Sequence, residues 1–332
     1  MRVLYIVKNY PQLSQSYIKS EINCLIKDFQ IEIIATSVPN TPDVECLPYQ
    51  QISDEEKIIQ HIERFKPDII HGHYLLMAKV ISSVSKKTNI PFTIRAHSFD
   101  ALKNEMADDF PSHISQLHEF LNHDLCKGVL IFPFTRDLLI RIGKVNPNKL
   151  IDAPPVVNTK HFFDKTPNGN GIMNTGACIP KKSMETFVSL SKLLPNDTFN
   201  LYGLGHDINK IAALNKEIGG RVNFIEPTLY SQMPREYKKH RSLVYTANMQ
   251  MKTVGWPMAV MEAMASGTMV YMPEVRPDIK DYIGDAGYVY KDVRDIVELL
   301  KAPVDMKKRE MAFNYSLKFD ISAQISKLTN LW

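Results

Sequence analysis

A chain of 332 residues is longer than one average domain and comfortable for two, and 44% apolar with 23% charged residues describes a globular protein with ample core. Its net charge of +4, from 40 basic and 36 acidic residues, suits an anionic ligand but lacks the basic stripe of a nucleic-acid binder, so no nucleic-acid partner is expected. No stretch nears the ~20 apolar residues of a membrane span, and the opening "MRVLYIVKNYP" closes too early for a secretory signal.

Short β-branched runs alternate with helix-period segments from end to end, which predicts parallel sheets covered by helices, an α/β class. The first set of strands is expected at "RVLYIV", "IEIIAT", "DIIHGH", "PFTIRAH", "GVLIF" and "KLIDA". Between the first two, "SYIKSEINCLIKDF" repeats apolar residues on one helical face. "DKTPNGNG", at 164–171, reads as a linker. The alternation then restarts with "GIMNTG", "TFNLYG", "RVNFIE", "SLVYTA", "TMVYMP" and "GYVY". Two doubly wound domains are expected, over 1–160 and 161–303, followed by terminal helices over 304–332. Ligands of such sheets sit beyond the carboxyl ends of the strands, so the residues just after each strand are the candidates.

In "VGWPMAVMEAMASG", Pro257 suits a first helical turn, and the amides of Gly255, Trp256 and Met258 lie where a helix start favours an anion. Glu262 shares a face with Ala259, Ala263 and Ser266, so a flat polar ligand could approach its carboxylate; a solvated or salt-bridged acid on a tightly packed helix is the competing reading. Lys182 or Lys181, after the first strand of the second domain, supplies a point charge suited to a diphosphate. His97 and Asp100 follow "PFTIRAH"; Arg95 is a further choice, Asp100 could simply cap the next helix, and His73 reads as structural. Ser14, Gln15 and Ser16 lie between the first strand and its helix, as caps or as acceptor contacts. The G-x-G at Gly203 is too short for a dinucleotide fingerprint and reads as a close backbone turn. The acids of "EMADD", at 105–109, lie in a loop-like segment. Cys24, Cys46, Cys126 and Cys178 show neither disulfide nor metal spacing, so a reducing cytoplasm and no metal are expected.

Taken in order, "NYPQLSQSYIKSEI", "KPDIIHGHY", "IPFTIRAHSFD", "PPVVNTKHF", "GACIPKKSMETFVSL", "LYGLGHD" and "VGWPMAVMEAMASG" resemble the motifs of glycosyltransferase family 4 across nearly the whole chain. The resemblance implies a GT-B fold, two Rossmann-like domains facing a central cleft, and retaining, metal-independent transfer from a nucleoside-diphosphate sugar to a hydroxyl, with no cofactor. It further implies a glycan or lipid-linked acceptor held by the first domain. It assigns Glu262 to the donor's ribose, the helix start and Lys182 to the diphosphate, and His97 to the donor sugar. The chain departs from the pattern at three places: Val254 stands for the first glutamate of the E-x7-E motif, Ala177 for an arginine, and Gln15 for a glutamate. Lys181 and Lys252 lie close enough in sequence to restore charge. A non-catalytic nucleotide-binding protein and a sugar-nucleotide epimerase remain as rival readings. The basic run "REYKKHR", at 235–241, leaves open a weak peripheral contact with an anionic inner leaflet.

Overall fold

The computed structural model describes residues 1–12, 16–39, 46–102, 113–153, 157–251 and 253–332. Ser14, Gln15, Lys252 and the 105–109 acids therefore lie outside the described residues. The chain forms two compact units, Met1–Val156 with Ile321–Trp332, and Val157–Asp320.

In the first unit, β1 (Arg2–Asn9), β2 (Gln30–Ser37), β3 (Gln50–Gln51), β4 (Ile69–His73), β5 (Phe92–Arg95), β6 (Cys126–Ile131) and β7 (Leu150–Asp152) make a sheet in the order β3-β2-β1-β4-β5-β6-β7. Every pairing is parallel. The unbroken apolar run Val3–Val7 is wholly buried, as a central strand covered on both faces requires. The covering helices follow from local rules. The helix Glu55–Phe65 starts where the Asp54 carboxylate accepts the Lys57 amide at 3.0 Å, and it buries Ile58, Ile62 and Phe65. It ends where Lys66 turns left-handed, at φ 54°. The edge strand β3 carries no sequence signal, because its two residues are glutamines that pair with β2.

The second unit holds β8 (Gly171–Ala177), β9 (Phe199–Leu204), β10 (Val222–Ile225), β11 (His240–Val244), β12 (Met269–Pro273) and β13 (Tyr288–Tyr290), all parallel, in the order β10-β9-β8-β11-β12-β13. In both sheets the chain runs outward one way from the first strand and then resumes on its other side. The strand ends flanking that reversal, β1/β4 and β8/β11, are where a doubly wound sheet opens a crevice.

The division between units differs from the expected one. It falls after residue 156, and only Ile321–Trp332 joins the first unit. The helix Met306–Ser316 stays with the second unit because Phe313 is buried there and Arg309 donates to the Gly267 carbonyl at 3.1 Å and to Asn168 Oδ1 at 3.0 Å. Nor is 164–171 a free linker. Lys238 Nζ donates to the Asp164 carbonyl at 3.2 Å and Asn168 Oδ1 at 2.9 Å, while Asn168 Nδ2 donates to the His240 carbonyl at 3.0 Å, fixing the segment to the second sheet. Turn-forming composition marks irregular backbone, but here polar side chains satisfy that backbone and hold it in place. Among the described residues, no helix is long and apolar enough to cross a membrane.

Candidate functional site

Each unit gathers polar and titratable groups at its own strand reversal. In the second unit, Lys182 sits in the short turn Pro180–Lys182 that follows β8, and Tyr245 directly follows β11. The Lys182 ammonium lies 4.5 Å from the centre of the Tyr245 ring and contacts its hydroxyl. The turn is pinned from behind: Thr246 Oγ1 donates to the Lys182 carbonyl at 2.8 Å and accepts from Asn174 Nδ2 at 2.8 Å. Burial, reinforced by neighbouring Lys181, pushes the Lys182 pKa down to about 7. A lysine held this way takes up charge readily when an anion arrives. Lys181 is also lowered by burial, and its carbonyl accepts the Asn248 amide at 3.0 Å.

Glu262 lies on the helix Met258–Ala265 with only 7% of its surface exposed. Its Oε2 accepts the Tyr237 hydroxyl at 2.8 Å, and burial raises its pKa to about 7. The solvated or salt-bridged alternative therefore does not describe it; it is a buried carboxylate with one phenol partner. Pro257 is not in the first helical turn as expected. It is the N-cap, with an extended ψ of 130°, and the helix begins at Met258. Gly255 and Trp256 thus belong to the approach to the helix. Trp256 donates its indole N–H to Asp278 Oδ2 at 2.7 Å and stacks on Tyr282 at 4.8 Å, and the Tyr282 hydroxyl donates to the Pro257 carbonyl at 2.7 Å. Arg276 contacts the Val254 carbonyl and pairs with Asp278 at 2.8 Å. These contacts fix the loop that positions Glu262. Val254 itself is 1% exposed and packs with Val260, Met261 and Tyr282 in the core. Where an acid was looked for, the side chain faces the protein interior.

Gly203 is a packing residue: a Cβ there would meet Cys178 Sγ at 2.6 Å, so β9 approaches the end of β8 only because the side chain is missing. The basic run 235–241 is largely consumed inside the unit. Besides Lys238, Arg241 pairs with Asp197 at 2.7 Å, Lys239 with Glu236 at 2.8 Å, and His240 is buried against Asn200. Arg235 and Lys239 remain exposed to solvent.

In the first unit, His97 caps the short helix Ser98–Ala101 after β5. Its ring packs on Tyr74 at 4.4 Å and Tyr17 at 4.8 Å, and its Nε2 lies 3.2 Å from His73 Nδ1. Burial holds His97 well below the ordinary histidine pKa, with His73 and Arg95 adding to the effect. Asp100 is 1% exposed, and its two oxygens accept the amides of His97 at 2.8 Å and Leu75 at 2.6 Å. Burial pushes its pKa up to about 8, and both oxygens serve the backbone, which is the capping role. Ser16 is the first residue of the helix Ser16–Leu25. That helix also supplies Glu21, which sequence reasoning passed over. Glu21 is 1% exposed and pairs with Arg95 Nη2 at 2.8 Å, His73 Nε2 at 3.3 Å and His71 Nε2 at 3.4 Å. The signal was present: an acid adjoining the apolar positions Ile18, Ile22 and Leu25 of an otherwise amphipathic helix. Glu21, His71 and His73 each place a ligand atom within 4.8 Å of the others, the grouping among the described residues that could hold a metal ion.

No protein-family model and no curated protein matches the chain. Solved structures do. Sucrose-phosphate synthase from Thermosynechococcus elongatus is similar at 16% identity with a TM-score of 0.76, over 100% of this chain and 98% of that one. Anabaena Alr3699/HepE in complex with UDP-glucose is similar at 14% identity and TM-score 0.76, over 100% of both chains. The lipopolysaccharide outer core galactosyltransferase WaaB is similar at 15% identity and TM-score 0.67, over 100% of this chain and 99% of that one. With its seven-stranded and six-stranded parallel sheets, each doubly wound, the chain has the GT-B fold of two Rossmann-like domains.

Proposed function

We propose that the chain is a glycosyltransferase of the family 4 type, moving a sugar from a nucleoside-diphosphate sugar to a hydroxyl of a glycan or lipid-linked acceptor, with retention and without a metal. The observation that carries this is the arrangement at the β8/β11 strand ends: Lys182 with a pKa near 7 beside Tyr245, and buried Glu262 on the helix that follows β11. Lys182 binds the diphosphate and neutralises the charge that grows on the leaving group. Glu262 takes the ribose hydroxyls, exchanging its Tyr237 partner or sharing it. His97, in the first unit, is the residue that the family resemblance assigns to the donor sugar. The uridine nucleotide heads the list of donors, since HepE was solved with UDP-glucose. A role in polysaccharide assembly at the cytoplasmic membrane face accords with this acceptor class.

Two observations favour a second reading, a nucleotide-binding protein without transfer activity. Val254 is turned into the core, and Ala177 ends β8 without a charge. In the active reading, Lys181 and Lys182 supply the charge that Ala177 does not, and the sugar hydroxyls are read elsewhere than at position 254. Calorimetry with UDP, GDP and ADP, with and without EDTA, followed by hydrolysis and transfer assays on hexose, deoxyhexose and N-acetylhexosamine donors, decides between them. Binding is expected to be metal-independent and weakened by about 1–3 kcal/mol in Glu262→Ala. Absence of binding to all three nucleotides refutes the donor site; binding without turnover of any donor favours the second reading.

A further inference from the structure

Glu262 is gripped by a single side chain, and that side chain is locked in the core. Tyr237, on the short helix Met233–Lys238, is wholly buried, with its ring edge-on to Phe162 at 5.7 Å and its carbonyl accepting the Thr268 hydroxyl at 3.1 Å. Its hydroxyl has one proton and two acceptors in reach: Glu262 Oε2 at 2.8 Å and the Ala259 carbonyl at 3.3 Å. The Ala259 carbonyl already faces the Ala263 amide one turn on in the helix Met258–Ala265, so the shorter contact to the carboxyl group takes the proton. The neighbouring phenol of Tyr282 is committed to the Pro257 carbonyl at 2.7 Å. Glu262 Oε1 has no hydrogen-bond partner among the described residues, and unlike Asn174 Oδ1 it is not sealed from solvent. The carboxyl group thus has one oxygen engaged by the protein and one open to a ligand.

We infer that Tyr237 is a positioning residue that acts through Glu262: its hydroxyl stays on Oε2 in the complex and fixes the plane of the carboxyl group, so that Oε1 accepts from the ribose. This rests on the proposed function, in which Glu262 either exchanges Tyr237 for the ribose or shares itself between them; the packing favours sharing. Exchange would leave a phenol in the core with only the longer contact to Ala259, and a buried donor without a good partner is costly. Sharing keeps that donor paired and uses the oxygen that the protein leaves open. A carboxyl group presented by one oxygen reads one ribose hydroxyl strongly, whereas exchange would offer both oxygens to two hydroxyls alike.

Calorimetry of the full chain at pH 8 with UDP, 2′-deoxy-UDP, 3′-deoxy-UDP and inorganic pyrophosphate tests this. In wild type, one deoxy analogue is expected to bind about ten-fold more weakly than UDP and the other within about two-fold. That comparison needs no variant. Tyr237→Phe keeps the ring and removes the donor. It should weaken UDP about ten-fold, shrink the gap to the weaker analogue to about two-fold, and leave pyrophosphate unchanged, because pyrophosphate meets the diphosphate contacts alone. A residue that merely supports the helix would weaken all four ligands together. In a Glu262→Ala background, Tyr237→Phe should change UDP affinity by less than about two-fold, because it acts only through the acid. Equal losses with both deoxy analogues, a gap that survives Tyr237→Phe, a parallel loss of pyrophosphate, or additive effects in the double variant overturns the inference and leaves the donor site standing. No UDP binding to wild type, or no gap with either analogue, refutes the assignment of Glu262 to the ribose and the inference with it.

Discussion

Nucleotide binding at Lys182 should draw a proton from solution, and the amount follows from its environment. With a pKa pushed down to about 7 by burial, the free side chain is neutral in about nine molecules of ten at pH 8. A bound diphosphate beside the ammonium returns the pKa toward the ordinary value, near 10.4. Binding then takes up roughly 0.9 proton at pH 8, roughly 0.5 at pH 7 and roughly 0.1 at pH 6. The sign is set by the raised pKa of the complex: affinity is greatest below pH 7 on this account and falls toward about ten-fold per pH unit above it. Isothermal calorimetry with UDP in buffers of different ionisation enthalpy measures the uptake. Lys182→Met should abolish most of it, whereas Lys181→Met should retain most of it. Tight binding at pH 8 with no proton uptake, or uptake unaffected by Lys182→Met, refutes the reasoning that this ammonium meets the diphosphate.

Glu262 makes the opposite kind of contribution to folding. The folded state keeps its proton up to about pH 7 while the unfolded chain loses it near the ordinary value, so stability falls as pH rises between those limits. Glu262→Gln, which can still accept from Tyr237, should flatten that dependence and gain up to about 3 kcal/mol relative to wild type between pH 4.5 and 8. Urea midpoints that run parallel at both pH values would count against this. Val254→Glu places a carboxylate in the core beside Met261 and Tyr282 and should cost about 2–4 kcal/mol, less if Arg276 swings to pair with it. Wild-type thermal stability in that variant would mean the side chain faces outward.

The sequence determined by itself what local periodicity and order can carry. Alternating β-branched runs and amphipathic helices are short-range patterns, so twelve of the strand segments could be read from them, the glutamine pair of β3 being the exception. The motif order likewise pointed to Lys182, His97 and Glu262. The tertiary structure decided what each of those groups faces. Whether position 254 looks outward depends on a loop held by Arg276 at Val254 and by Asp278 and Tyr282 at Trp256, partners 22 or more positions apart in the chain. Whether 164–171 is a linker depended on Lys238, more than 70 residues away. Glu21 looked like one acid on a helix until the sheet order β1-β4-β5 brought His71, His73 and Arg95 to it. Burial of such a carboxylate is tolerated only with partners supplied by other strands, and no local pattern encodes which residues those will be.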